Sequence, residues 1–152
     1  MEPMKKEISA GGVVYRQIGD DFQILLIEDR YRKLAFAKGR MEAGETIEQA
    51  ALREIKEETN IDGKIIQPLI INYYQFEHTE HGQVEKETHY YLVEALSGEL
   101  KAQTEEIRGV KWHGAADVWA EHNLNGYENN RGILRMALEI LGFLGEEDEM
   151  NV

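Results

Sequence analysis

The chain contains no cysteine. That removes disulfides, thiol nucleophiles and thiolate metal sites together. Proline occurs only twice, at Pro3 and Pro68, and no proline-rich linker or internal repeat divides the sequence. No apolar run approaches the roughly 20 residues that a membrane helix requires. The first seven residues, Met1-Glu2-Pro3-Met4-Lys5-Lys6-Glu7, lack an apolar leader, so a cytoplasmic location is expected. Cations are also scarce. Seventeen Lys and Arg face 29 Asp and Glu, for a net charge of −12. That balance argues against nucleic acid and anionic membranes as partners. His78 and His81 form the one near pair of histidines, within a polar hairpin loop, and no zinc site is expected there.

At 152 residues the chain fits one domain with a real core. The domain is assigned to residues 1–145, and the acidic residues 146–152 to a disordered tail. Residues 8–16 and 22–28 read as strands joined by a turn at Gly19-Asp20-Asp21. Residues 34–37 are short and extended, 64–76 and 87–95 are long β-rich partners, and 109–112 form a last strand. Pro68 marks an edge strand or a bulge. Helices are expected over residues 115–122 and 132–144. Strands with helices packed on them predict an α+β or α/β sandwich.

The stretch Arg53-Glu54-Ile55-Lys56-Glu57-Glu58 carries the chemistry. At helical spacing Glu54, Glu57 and Glu58 share one face, where like charges repel. A hard divalent cation, Mg²⁺ above all, takes oxygen ligands and often shares them with a substrate phosphate. Thr46 and Gln49 form a capping box, and Asn60 suits the left-handed residue that ends a helix. The helix therefore runs from Ile47 to Thr59, with Ala51, Leu52, Ile55 and Thr59 as its apolar stripe. Before it, residues 38–45 read as a loop with two glycines and the cations Lys38 and Arg40. Arg30, Arg32, Lys33, Lys38 and Arg40 follow one another without an intervening acid. A cationic loop before an acidic helix is the arrangement a metal-assisted phosphate site needs. Arg32 and Lys33 are assigned to a solvated turn.

Loop and helix together resemble the Nudix hydrolases. Gly39, Glu45, Arg53, Glu54, Ile55, Glu57, Glu58 and Ile61 fall in register with that family's motif. Asn60 replaces its last glycine, and Ala37 stands where many members carry proline. The resemblance implies a mixed sheet between helices, an α/β/α sandwich with a loop-helix-loop beside it. It also implies hydrolysis of a phosphoanhydride with Mg²⁺, or Mn²⁺ in its place. Glu57 and Glu58 are the leading ligands, and Glu54 is a ligand or the base. A main-chain carbonyl at Lys38 or Gly39 completes the set, as in similar proteins.

Arg53 is assigned to orienting Glu54 or pairing with Glu45. Glu105 and Glu106 are the alternative bases, and Lys38, Arg40 and Lys86 the phosphate contacts. Tyr73, Tyr74, Phe76, Tyr90 and Tyr91 are candidates to stack a base, against the plainer reading as strand core. Motifs of the members acting on coenzyme A, NADH or ADP-ribose are absent. The Lys-Gly-Arg loop and Lys86 resemble members that cleave dinucleoside polyphosphates or inositol pyrophosphates, with a nucleoside triphosphate the next choice. A nucleotide-binding regulator without turnover is the alternative on the same fold. A homodimer remains open.

Overall fold

In the computed structural model, residues 5–80, 82–103 and 105–143 are described. His81 and the acidic tail lie outside them. The elements run β1 (Lys5–Ile18), β2 (Asp21–Asp29), β3 (Leu34–Ala35), β4 (Ala37–Arg40), α1 (Ile47–Thr59), β5 (Asp62–His78), β6 (Gly82–Ser97), β7 (Ile107–Gly114), α2 (Ala115–Asn125), a 3₁₀ turn (Glu128–Asn130) and α3 (Arg131–Ile140).

The seven strands form one mixed sheet. Its centre is the parallel pairing of β1 with β6 from Lys5↔Val84 to Tyr15↔Glu94. The other edge of β1 changes partner along its length. Ser9–Gly12 pairs antiparallel with β4, and Val14–Ile18 with β2. β7 adds to the far side of β2, and the β5–β6 hairpin closes the opposite end. β5 is thus an edge strand, and its register shifts between Pro68 and Ile71, where the missing N–H of proline is tolerated.

Alternation along the strands sorts the core into two layers. Val14, Leu25 and Ile27 face α1 and its buried Ala51 and Ile55. Val13, Ile24 and Leu26 face the other way, onto Val118 of α2 and Ile133, Leu134 and Leu138 of α3. The sheet lies between helices, as the family resemblance implies.

Several boundaries differ from the sequence reading. The strands over 64–76 and 87–95 extend to Asp62–His78 and Gly82–Ser97, because hairpin pairing continues to the turn. The last strand begins at Ile107, since β2 offers partners from Gln23 to Asp29. The final helix ends at Ile140 instead of 144. The largest correction concerns Lys38-Gly39-Arg40, read as loop. These residues are strand β4, paired to β1 through Ala10↔Gly39 and Gly11↔Lys38. Gly11 allows this pairing. A Cβ there would lie 2.1 Å from the Ala37 carbonyl oxygen.

His122 of α2 is 1% exposed, lies parallel to Phe36 at 5.9 Å between ring centroids, and neither ring nitrogen has a hydrogen-bond partner among the described residues. Burial lowers its pKa from 6.5 to about 4. Between those values the unfolded chain binds a proton that the folded one excludes, so this residue's contribution falls as pH drops through the window. The full loss is of order 3 kcal/mol. Urea unfolding between pH 7 and pH 4.5 should therefore show wild type losing more stability than His122→Gln, which does not titrate. Parallel curves for the two proteins would refute it.

Candidate active site

Helix α1 is positioned at both ends. Thr46 accepts from the Gln49 N–H at 3.1 Å while Gln49 accepts from the Thr46 N–H at 2.9 Å, completing the capping box. Asn60 ends the helix at φ 69° and its N–H donates to the Lys56 carbonyl. The substitution for glycine is thus accommodated as a left-handed asparagine. Its side chain donates to the Glu99 carbonyl at 2.9 Å, and Gln103 caps the Lys56 and Glu57 carbonyls.

Arg53 joins the helix to the segment before it. Its Nε and Nη2 donate to the two oxygens of Glu45 at 2.6 and 3.0 Å, and Nη2 also donates to the Arg40 carbonyl at 2.9 Å. Nη1 reaches Glu54 at 2.9 Å and Glu57 at 3.1 Å. Both roles considered for Arg53 are therefore realised together. These bonds hold Glu45 well below the usual carboxylate range, and Arg53 above its ordinary value.

The three helix glutamates do not converge. Glu57 is turned toward Arg53 with its side chain 54% exposed, whereas those of Glu54 and Glu58 lie inward. Glu54 packs under Gly39, where a Cβ would sit 2.2–2.4 Å from its carboxylate atoms. A side chain at position 39 would have to displace this carboxylate. Glu58 lies beside Glu54 and Lys38, and its Oε2 is buried with no hydrogen-bond partner among the described residues. Burial and the neighbouring Glu54 push the Glu58 carboxyl up to about 8. Burial also raises Glu54.

Among the described residues no three carboxylate or imidazole groups form a ready metal cage. Glu54 and Glu58 nevertheless suit a hard divalent cation, because Mg²⁺ is commonly held by one or two carboxylates with water and phosphate completing its shell. The unpartnered Oε2 of Glu58 is the atom such an ion would satisfy.

Glu58 and Lys38 open onto a cleft of about 660 Å³, a size suited to a small-molecule ligand. Burial lowers the Lys38 pKa, and the charge of nearby Lys86 lowers it further. Lys38 has no ion-pair partner within 4.0 Å among the described residues. Lys86 lies with its ammonium 5.8 Å from the centroid of the Tyr74 ring. Arg40, the third predicted phosphate contact, points elsewhere. Its side chain is 70% exposed and 3.5 Å from Glu7, outside the cleft. Glu106 lines the cleft and Glu105 does not. Of the aromatic candidates, Tyr90 and Tyr91 are buried at 3% and 7% exposure, Tyr73 and Tyr74 are exposed, and all of these but Tyr91 border the cleft. Phe76 does not reach it. The sequence reading missed Tyr31, Tyr127, Asn129 and Asn130, which also line it.

The NUDIX domain model matches residues 5–136, nearly the whole described chain. The chain belongs to the Nudix family. A putative mutator protein MutT4 of Mycobacterium tuberculosis is 39% identical over 113 residues, which cover 70% of this chain and 45% of that protein. Putative nudix hydrolase 1 of Caenorhabditis elegans is 30% identical over 119 residues, covering 73% of this chain and 30% of that protein. The match spans less than half of either relative. Among solved structures, a C. elegans Ap4A hydrolase binary complex superposes with a TM-score of 0.68 at 24% identity, covering 91% of this chain and 99% of that one. The NUDIX domain of Shewanella oneidensis NrtR, complexed with ADP ribose, gives 0.71 at 18% identity, covering 93% and 90%. At these identities the structural likeness speaks for the fold alone.

The pKa of Glu58 generates a test on this Nudix domain. Between 4.5 and about 8 the folded carboxyl holds a proton that the unfolded one has released. Its contribution to the stability of the metal-free protein is lost as pH rises through that window. Glu58→Gln should therefore melt at or above wild type in chelator at pH 8.5. Adding Mg²⁺ should raise the melting temperature of wild type more than that of the variant. Equal responses of the two proteins to Mg²⁺ would remove Glu58 from the metal site.

Proposed function

We propose that this chain hydrolyses a phosphoanhydride bond with Mg²⁺, Mn²⁺ being able to substitute. Its substrate is a nucleoside diphosphate linked to another moiety, with a dinucleoside polyphosphate or a nucleoside triphosphate as the leading class. The observation that carries this reading is the buried Glu54–Glu58 pair beneath Gly39, with one unsatisfied carboxylate oxygen beside Lys38 on the cleft wall.

Phosphoanhydrides resist attack because their oxygens repel a nucleophile. Lys38, with Lys86 nearby, supplies positive charge to the phosphate chain in a site shielded from water. Glu54 and Glu58 would hold the cation, and Glu57, bonded here to Arg53, is the third ligand we propose. The cation, when bound, neutralises phosphate charge and lowers the pKa of a water. Glu54 is the base proposed to take the proton from the attacking water. Arg53 fixes its orientation, and burial raises its pKa above the ordinary carboxylate value. Glu106, on the cleft wall, is the competing base.

Phosphate release from nucleotide substrates should require Mg²⁺ or Mn²⁺, stop in chelator and return on adding metal. Glu57→Gln and Glu58→Gln should each lower kcat by about 10². Glu54→Gln should cost about 10³ in kcat and Glu106→Gln less than tenfold. The reverse order, with metal affinity unchanged in the Glu106 variant, would transfer the base to the loop. Nucleotide binding with no turnover under any metal would instead support the regulator.

A further inference from the structure

Two of the glutamates of α1 stand at its C-terminal end. Glu57 and Glu58 lie in the last turn, where free carbonyls already present partial negative charge. Those carbonyls are met by one segment, residues 98–103, which follows β6. The Lys101 main-chain N–H donates to the Thr59 carbonyl at 3.1 Å. Gln103 Nε2 donates to the carbonyls of Lys56 and Glu57 at 2.8 and 3.2 Å. In return the Asn60 side chain donates to the Glu99 carbonyl at 2.9 Å.

The segment is held against the helix by more than these bonds. Gly98 takes φ 111°, and a Cβ there would lie 2.3 Å from the Asn60 carbonyl oxygen. Leu100 packs on the core cluster that contains Ile55 and Ile61. Segment and helix end therefore form one continuous contact. Within it Glu57 is held twice, its carboxylate by Arg53 Nη1 at 3.1 Å and its carbonyl by Gln103.

Gln103, Lys56 and Glu57 are all exposed. A cap in such a place adds little to stability, because water takes over a carbonyl that loses it. Water does not replace the fixed direction. Two effects of the amide on a bound cation then oppose each other. Its N–H dipole lessens the negative potential at the helix end, which disfavours a cation, whereas its grip fixes the glutamates, which favours one. Water supplies nearly the same dipole, so the grip decides the sign.

We propose that Gln103 is a positioning residue for the metal. By holding the Glu57 carbonyl it fixes the turn that presents Glu57 and Glu58 to a divalent cation. The inference rests on the hydrolase reading, and adds to it a side chain 46 positions along the chain from Glu57.

The test is Mn²⁺ binding to the full chain without nucleotide, followed by electron paramagnetic resonance, beside thermal melts in chelator. Gln103→Ala should weaken Mn²⁺ about tenfold, the low end for groups that hold a metal ligand in place, while melting within about 3 °C of wild type. The metal concentration at half-maximal turnover should rise by the same factor, with KM for the nucleotide changed by less than about twofold. Gln103→Glu separates grip from dipole. It keeps the length, lacks the donor and adds a negative charge, so a purely electrostatic role predicts tighter Mn²⁺ binding and the positioning role weaker. Equal Mn²⁺ affinity in wild type and Gln103→Ala, with or without a fall in melting temperature, would overturn the proposal. Tighter binding by Gln103→Glu would overturn it as well. Failure of the hydrolase reading alone looks different: the Mn²⁺ difference between the proteins stays, and no nucleotide is hydrolysed. A wild type that binds no Mn²⁺ would overturn both.

Discussion

The guanidinium of Arg53 is the interaction on which the site depends. Three glutamates on one helix face repel, and a helix alone offers nothing to offset that. Arg53 contacts two of them, adds the bidentate pair with Glu45, and takes the Arg40 carbonyl as well. A lysine could supply the charge but not this planar fork with its fixed directions. Because one of its partners is the main chain of β4, the arginine sets where the strand lies relative to the helix. That spacing places Gly39 against Glu54. The chemistry of the helix face is therefore coupled to a strand pairing in the sheet.

Local features of this arrangement were legible in the sequence. The capping box, the helix limits at Ile47 and Thr59, and the left-handed Asn60 depend on neighbours a few residues away, and each is found as read. The edge position of Pro68 follows from its missing donor alone. Strand β4 was not legible, because its residues carry no alternating pattern and owe their conformation to Gly11, far earlier in the chain. The turn of Glu57 toward Arg53 was hidden for a related reason. Helical spacing assigns a face to a side chain, not the direction it takes under competing partners. Tyr31 and Tyr127 are joined through Asp29 across most of the chain, and no local signal announces such a contact.

The aromatic candidates show the same limit from another side. Tyr90 and Tyr91 are adjacent on β6 and point to opposite layers, so both are buried, each in a different core cluster. Tyr73 and Tyr74 lie on the edge strand, where one flank of the sheet has no neighbour. Composition and propensity are nearly identical in the two pairs. What separates the buried pair from the exposed pair is the position of the strand in the sheet, a property of topology and not of the residues.

Considered on the protein's own groups, the charges at Lys38 and Glu58 are poorly compensated. Burial disfavours the charged form of each, and each has a like charge nearby, Lys86 for the lysine and Glu54 for the glutamate. Lys38 and Glu58 favour one another, but burial and Glu54 outweigh this and raise the Glu58 carboxyl. An anion beside the lysines and a divalent cation between the carboxylates would each relieve one of these imbalances. Each would also relieve part of the other, since ions of opposite charge attract and Lys38 and Glu58 are near enough to interact. Binding of two such ions would be a linked equilibrium, in which the anion raises affinity for the cation by the factor that the cation raises affinity for the anion. A net charge of −12 does not oppose this, because the cleft presents its own cations where the anion must enter.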